Sequence, residues 1–349
     1  MNDVAVTSGA TVLPWMPEDV RKAIRKLKSL HDGDIGVIEA IACGERAIPS
    51  LSAILFAREP SGLYETRRRA VEALAALGAH DILREFLHTP RAISDPVELT
   101  GEEAVINAAA RILGKLCDPR DLTLLLSLLR KKPSAGVIEA VGRFRCLEAL
   151  PFFVEALAED FYRPAAETAI RALGARPRAG LVRAAADRRL SFGRETAASI
   201  QRRRSTLALL QEIGLPKRWP WRALSTLLRD PDPWIAMLAC RLTLDLASAP
   251  ADVKLDSVQR LIMLLPISDG LLAGEIEDCL VEHFALAQPS VADAISAERR
   301  VQPPPRDWPD HRVLAVLLRV EERAGNRTND KSRQSPYAGM RKPSRKRSP

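Results

Sequence analysis

Aromatic residues and long apolar runs are both scarce in this sequence of 349 residues. Aromatic side chains make up 5% of the chain, so its interior cannot be packed mainly around large rings. The longest apolar runs, such as LTLLLSLL (122–129), fall far short of the roughly 18 residues that a membrane-spanning helix requires. The N-terminus also lacks the basic segment and apolar core of a secretory signal peptide. We therefore expect a cytoplasmic protein without a membrane span.

The sequence contains few cysteines, and their spacing excludes the usual cysteine-based sites. An odd number without any CxxC pair argues against a disulfide framework and against a structural zinc site. Most of these residues lie inside apolar helical patterns, which predicts buried, reduced thiols. The five cysteines are Cys43, Cys117, Cys146, Cys240 and Cys279.

Catalytic fingerprints are missing as well. The sequence has no HExxH, GxSxG, GxGxxG or GxxxxGK[ST] motif. We therefore predict no catalytic residue, no cofactor and no metal site, and a protein that is not an enzyme. One cluster, in GEIEDCLVEHF (274–284), could ligate a metal through Glu275, Asp278, Glu282 and His283. The same spacing is typical of a helix whose acids face water, and we favour that interpretation.

Positive charge is present in excess but is unevenly distributed. The net charge is +8, and residues 325–349 contain eight Lys or Arg residues and one acid. This segment has too little apolar surface to fold, so we predict a disordered basic tail. A second basic zone, residues 171–204, contains ten arginines and two acids. Arginine outnumbers lysine 41 to 11 in the whole chain, which indicates a bacterial protein from a GC-rich genome.

Similar helix endings recur along the chain, as in EALAALG (72–78) and TAIRALG (168–174). A glycine just past a helix adopts the left-handed conformation without steric penalty, so we predict that each of these glycines ends a helix. Their spacings of 28 to 40 residues match two helices plus turns, which indicates an α-solenoid. The glycines are Gly44, Gly78, Gly114, Gly142, Gly174 and Gly214.

Leucine-rich segments alternate with these endings and predict the other helix of each pair. They are AIPSLSAIL (47–55), DILREFL (81–87), DLTLLLSLL (121–129), ALPFFVEAL (149–157), RALSTLL (222–228) and VQRLIMLL (258–265). Small residues before the glycines, such as Ala169 and Ala172, share one helix face and allow a neighbouring helix to approach closely.

The pattern resembles the HEAT-repeat family, including its bacterial branch first noted in phycobilin lyases. The resemblance is clearest in LSTLLRDPDPWIAMLACRLTLDLA (224–247), with Asp230 and Pro231 at the turn, and in CDPRDLTLLLSLL (117–129). Proline within the first helix is also typical of the family, and Pro49 and Pro151 occupy that place. The resemblance implies an all-α, armadillo-like, right-handed solenoid of about six or seven helical pairs with capping helices.

The sequence predicts that the chain is organised in four segments. Residues 1–16 form a flexible N-terminus, and residues 17–302 form the solenoid, which begins with a capping helix. Residues 303–324 contain a proline-rich spacer and one further helix, and residues 325–349 form the basic tail.

The resemblance implies a non-catalytic scaffold that binds a partner protein through its concave surface. In the family the second helix of each pair lines that surface, and Arg202, Arg203 and Arg204 lie in such a predicted helix. The predicted partner-binding residues are these three arginines together with Trp219 and Trp221, which follow shortly after the helix. Arginine and tryptophan dominate protein hot spots, but they also contact phosphates and bases. The alternative is therefore a nucleic-acid-binding solenoid that uses residues 171–204 and the basic tail. The resemblance allows this function because the family includes DNA glycosylases. The repeat type also permits a chromophore lyase.

Overall fold

The computed structural model describes residues 16–57, 64–89, 93–300 and 312–333. Within these residues the secondary structure is helical except for one short hairpin, which confirms the predicted all-α class. No helix in the described ranges has the length and hydropathy needed to cross a membrane. The predictions for residues 1–15, for 303–311 and for the last part of the tail, 334–349, lie outside the described residues.

The chain divides into two compact units, Met1–Pro177 and Arg178–Pro349, which we call the N-terminal and C-terminal units. The helices of the N-terminal unit are α1 (Glu18–Leu27), α2 (Gly33–Ala42), α3 (Ile48–Phe56), α4 (Glu65–Ala76), α5 (His80–His88), α6 (Pro96–Leu116), α7 (Pro119–Lys131), α8 (Ala135–Arg143), α9 (Leu150–Ala156) and α10 (Arg163–Ala172). Short 3-10 turns at Gly44–Ala47 and Leu147–Ala149 lead into α3 and α9.

Helices of the N-terminal unit pack in two alternating layers. The even-numbered helices α2, α4, α6, α8 and α10 pack side by side in chain order. Each odd-numbered helix packs on the even-numbered helix that follows it, and α5 also contacts α3, α4 and α7. Leu51 of α3, Leu74 of α4 and Leu113 of α6 are fully buried in a common core. The leucine-rich segments therefore supply one layer and the alanine-rich segments the other.

Helix starts follow the local sequence. Asp118 accepts a hydrogen bond from the backbone N–H of Arg120 and caps α7, and Pro119 occupies the first helical position. Pro49 and Pro151 stand in the first turns of α3 and α9, where a missing backbone N–H breaks no helical hydrogen bond.

Two of the six predicted helix-ending glycines have a different role. Gly44, Gly78, Gly174 and Gly214 adopt positive φ angles between 64° and 74°, as predicted. The prediction is wrong for Gly114 and Gly142, which lie inside α6 and α8. A Cβ on Gly114 would lie 2.5 Å from Ala140 Cα, and one on Gly142 would lie 2.6 Å from Ala169 Cβ. These glycines allow neighbouring helices of the even layer to approach closely.

The C-terminal unit contains α11 (Arg178–Ala186), a hairpin of β1 (Leu190–Ser191) and β2 (Arg194–Glu195), α12 (Ala197–Ile213), α13 (Pro233–Asp245), α14 (Ala251–Leu264), α15 (Gly270–Glu282), α16 (Phe284–Arg300) and α17 (Arg312–Arg333). Helices α12 and α13 pack together, as do α15 and α17. Helices α11, α14 and α16 pack against them.

The C-terminal unit departs from the sequence predictions at two places. The segment 222–228 is not an α-helix, because Pro220 and the Asp230-Pro231 turn leave room only for a 3-10 turn at Trp221–Leu224 and tight turns after it. Helix α17 was predicted to end at Ala324 but continues to Arg333, which is nine residues into the predicted tail.

Arginine–carboxylate pairs link neighbouring helices of the same layer. The arginine and the acid of each pair are separated in sequence by roughly the length of one helical pair. Arg111 of α6 donates two hydrogen bonds to Glu139 of α8, at 2.7 and 3.0 Å. Pairs of this kind include Arg67–Glu102, Arg111–Glu139, Arg204–Asp232 and Arg241–Glu275. The two residues of each of these pairs are 28 to 35 positions apart in the chain, so the pairs connect segments that are distant in sequence.

Candidate partner-binding surface

The arginine-rich zone, residues 171–204, is largely engaged in contacts within the protein. Eight of its ten arginines hold a carboxylate or a backbone carbonyl among the described residues. Arg178, for example, donates hydrogen bonds to two backbone carbonyls at the C-terminal end of α12. They belong to Gly214, which caps the helix, and Ile213, its last residue, at 2.6 and 3.1 Å. Within the described residues, Arg183 and Arg194 have no acidic or carbonyl partner.

Arg203 is the centre of a buried ion network. Its side chain is 0% exposed, and Nη1 donates to both carboxylate oxygens of Glu195 at 2.8 and 2.9 Å. Nη2 pairs with Asp230, and Nε donates to the carbonyl of Ala185 at 2.7 Å. Glu195 and Asp230 are themselves 6% and 3% exposed on their side chains. One guanidinium therefore connects α11, the hairpin, α12 and the turn before α13.

The neighbouring arginines of α12 also bind acids. Arg202 is 2% exposed and donates to the carbonyl and the carboxylate of Asp187 at 2.6 and 3.1 Å. Arg204 is 36% exposed and forms two hydrogen bonds with Asp232, at 2.9 and 2.5 Å. Asp232 also caps α13 through the backbone N–H of Ile235. Arg202 and Arg203 have almost no surface that a partner could contact, and only Arg204 remains accessible.

Burial and hydrogen bonding oppose each other at the Arg203 network. Burial alone would raise the pKa of Glu195, but hydrogen bonds from Ser199, Arg203 and Arg188 outweigh it and lower the pKa. Burial would lower the pKa of Arg203, and the hydrogen bonds to Asp230 and Glu195 raise it. The charged forms are therefore stabilised on both sides of the pair.

The two predicted tryptophans lie on the segment between α12 and α13, and both are partly buried. The Trp219 backbone N–H donates to the Pro216 carbonyl at 2.7 Å, and its own carbonyl accepts from the Ser248 hydroxyl. Its indole Nε1 is buried and has no hydrogen-bond partner in the described part of the chain. Trp221 begins the 3-10 turn. Their role in partner binding stays a prediction.

A β-hairpin that was not predicted from the sequence displays the most exposed aromatic side chain among the residues that the structure describes. Phe192 and Gly193 form its turn, with φ angles of 50° and 76°. Leu190 pairs with Glu195 and Ser191 with Arg194 across the antiparallel strands. Phe192 is 105% exposed and Leu190 is 60% exposed. The available signal was apolar–polar alternation before a glycine, but the turn lacks the Asn-Gly or Asp-Gly pair that usually marks a hairpin.

A shallow groove of about 410 Å³ lies between α8 and α10 of the N-terminal unit. Its floor is made of small residues, because Gly142 packs directly against Ala169. Glu139 and Arg143 stand on the α8 side. The remaining lining residues, all from α10, are Pro164, Ala165, Thr168 and Ala172. Both helices belong to the layer of second helices, which the HEAT resemblance predicts to be the binding layer.

The acidic cluster of α15 is paired with arginines. Arg241 contacts Glu275 at 3.0 Å and Glu282 at 3.4 Å, while Arg323 contacts Asp278 at 2.7 Å. Within the ranges that the structure describes, no group of three His, Cys, Asp or Glu side chains could hold a metal ion. The cluster is therefore an ion-pair surface that joins α15 to α13 and α17.

The thiols differ in accessibility. Cys240 and Cys279 are buried, and burial raises the pKa of each thiol to about 12. Cys117 is exposed and ends α6 in a left-handed conformation with φ 52°. The prediction of buried thiols is thus confirmed for Cys240 and Cys279 but is wrong for Cys117.

Comparison with family models and with curated proteins gave no match. Among solved structures, an engineered protein from the Northeast Structural Genomics Consortium aligns at 15% identity over 88% of this chain and 99% of its own, with a TM-score of 0.32. A second engineered protein from the same consortium aligns at 15% identity over 89% of this chain and 98% of its own, with a TM-score of 0.21. TM-scores this low carry no conclusion about fold or function.

Proposed function

We propose that the protein is a non-catalytic, HEAT-like α-solenoid scaffold that binds a partner protein on its layer of second helices. The single observation that carries the proposal is the groove between α8 and α10. It combines a floor of small residues with one cation and one anion at its edge. Repeated helical pairs of this kind stack on their neighbours and present extended binding surfaces.

The groove fits a segment of a partner protein better than it fits a small molecule. Small-molecule sites are lined mainly by large hydrophobic and aromatic side chains, whereas the apolar residues that line this groove are only glycine, alanine and proline. Glu139 is already held by Arg111 in a two-fold hydrogen bond. Arg143 is exposed and has no acidic partner among the described residues. The complementary segment therefore carries a small apolar side chain for the floor and a carboxylate for Arg143.

The ion pairs within residues 171–204 favour a protein over a nucleic acid as the ligand of this zone. Each phosphate contact contributes about −0.9 to the slope of log affinity against log salt. Eight of the ten arginines in residues 171–204 are engaged in contacts within the protein. Arg183 and Arg194 alone would give a slope of about −2. A protein hot spot, by contrast, needs only a few well-placed side chains.

The experiment is quantitative affinity enrichment with the full chain and a variant whose groove is filled. Thr168→Trp places an indole in the groove from an exposed position, so that the core packing is unchanged. The matched control is Thr123→Trp, which puts the same ring on an exposed position of α7, in the other helix layer. Nuclease treatment before the enrichment removes proteins that are bridged by nucleic acid.

We expect at least one protein to be enriched equally by the wild type and by Thr123→Trp, and to be depleted about tenfold or more by Thr168→Trp. Equal enrichment by both tryptophan variants would show that the groove is not the binding site. Loss of every enriched protein after nuclease treatment would instead favour the nucleic-acid function.

A further inference from the structure

The tip of the β1–β2 hairpin presents an apolar side chain where soluble proteins usually place a polar one. Phe192 is 105% exposed, and Leu190 two residues earlier is 60% exposed. Isolated exposed apolar residues are common, but a fully exposed aromatic ring at the tip of a hairpin contributes nothing to the core. The position of this ring must be explained by something other than folding.

The backbone at Phe192 is also unfavourable for that residue. The φ angle of 50° lies in the left-handed region, which bulky side chains rarely adopt and which Asn, Asp and Gly tolerate. Gly193 occupies the second turn position, where glycine is usual, with φ 76°. Folding alone would therefore favour Asn at position 192. The aromatic ring is present despite the local conformational preference.

The base of the hairpin is held firmly. Glu195 of β2 accepts hydrogen bonds from Arg203, Ser199 and Arg188. The backbone N–H of Arg189 donates to the Ser199 hydroxyl at 3.0 Å. The tip is therefore displayed by a rigid support, which reduces the entropy lost when it binds.

The charge around the tip indicates the chemistry of what it contacts. Arg194 is exposed and has no partner among the described residues, while the one acid of the strands, Glu195, is 6% exposed and faces Arg203. The accessible surface thus combines an aromatic ring, an aliphatic side chain and a cation. Aromatic residues and arginine are enriched at the centres of protein interfaces.

We propose that the hairpin tip, Leu190 to Arg194, is a docking element that inserts Phe192 into an apolar pocket of a partner protein whose rim carries carboxylates for Arg194. The assignment rests on the proposed scaffold function and adds a second contact, in the C-terminal unit, to the groove in the N-terminal unit. A protein fits this surface better than a nucleic acid, because one aromatic and one arginine suffice for a hot spot, whereas the one cation at the tip would contribute a salt slope of only about −1 to phosphate binding.

The first test is site-specific photocrosslinking of the full chain in cells of its own source. The photoreactive residue p-benzoylphenylalanine replaces Phe192, and the matched control carries it at Phe161, which is also exposed, at 75%. We expect a protein adduct from position 192 that is at least tenfold more abundant than from position 161. The crosslinked peptide should contain Asp or Glu, and Arg194→Glu should reduce the yield about tenfold.

The second test separates binding from stability in the same molecule. Phe192→Asn fits the left-handed turn better than phenylalanine, so we expect the melting temperature to stay equal or to rise. Binding to the purified crosslinked protein should weaken about 30-fold, which corresponds to loss of a hot spot of about 2 kcal/mol.

Four results would overturn the proposal: equal crosslinking at positions 192 and 161, a nucleic-acid adduct, no protein adduct above background, or a lower melting temperature for Phe192→Asn. The last result would show that the ring stabilises the fold. The proposed function fails separately, because Thr168→Trp tests the groove without touching the hairpin. A partner that is lost with Thr168→Trp and kept with Phe192→Asn would contradict the hairpin alone.

Discussion

Replacing Arg203 with methionine should destabilise the C-terminal unit strongly. The substitution keeps most of the side-chain volume but leaves the carboxylates of Glu195 and Asp230, 6% and 3% exposed, without their shared cation. Breaking a buried pair by removing one partner typically costs about 3–5 kcal/mol, because an uncompensated charge remains inside the protein. Here two acids lose the same partner, so we expect the upper half of that range.

The matched control is Arg204→Met, on the next residue of the same helix. Arg204 is 36% exposed, and its partner Asp232, although only 9% exposed, keeps the hydrogen bond from the backbone N–H of Ile235, so the loss of Arg204 should cost only about 1 kcal/mol. Urea unfolding followed by tryptophan fluorescence measures both, since Trp219, Trp221 and Trp234 lie in the C-terminal unit. With a slope of about 2 kcal/mol/M, the midpoint should fall by about 2 M for Arg203→Met and about 0.5 M for Arg204→Met.

A rescue experiment tests the physical reason. Adding Glu195→Gln and Asp230→Asn to Arg203→Met removes the uncompensated charges, so we expect at least half of the lost stability to return. Equal midpoints for Arg203→Met and Arg204→Met would refute the reasoning. A triple variant no more stable than Arg203→Met would show that packing, and not charge, causes the loss.

Three further predictions concern other parts of the protein. Gly142→Ala should lower stability by about 1–3 kcal/mol, because the added Cβ would collide with Ala169. Gly274→Ala, in open space inside α15, should raise stability by about 0.5–1 kcal/mol. Thermal unfolding measures both variants, and melting-temperature shifts of the same sign would contradict the prediction. Because folding lowers the pKa of Glu195, its ionised carboxylate stabilises the folded state at pH values above 4.5, the ordinary pKa of the group. This stabilisation is lost as the pH falls through the lower pKa of the folded state. Urea midpoints between pH 6 and 3 should therefore fall less steeply for Glu195→Gln, and equal slopes would refute the assignment. Cys240 and Cys279 should react with a thiol reagent at pH 8 only after unfolding, and reaction at the rate of a free thiol in the native protein would contradict their burial.

Local features of the sequence predicted most of the helices. Leucine-rich and alanine-rich segments have a helical period, and Asp-Pro pairs such as Asp118-Pro119 mark helix starts. Gly114 and Gly142 were misassigned because a glycine that ends a helix and one that admits a neighbouring helix are preceded by the same small residues. Only the position of the neighbouring helix distinguishes the two cases, and that is not a local property.

The role of the arginines could not be predicted from their spacing. Three consecutive helical residues point in three directions, and the burial of Arg203 depends on Asp230, 27 residues away. The positive charge of residues 171–204 indicated a binding zone, but the acids that pair with it come from other segments. The hairpin was missed because Phe192-Gly193 is an unusual turn sequence for a tight hairpin.

The most direct measurement for the central claim is the affinity between this chain and the purified partner obtained from the enrichment, measured by calorimetry at about 150 mM salt. We expect direct one-to-one binding that weakens about tenfold or more with Thr168→Trp and is unchanged with Thr123→Trp. A failure of the purified proteins to bind, or an equal loss of affinity in both variants, would contradict the claim that the groove between α8 and α10 binds a partner protein.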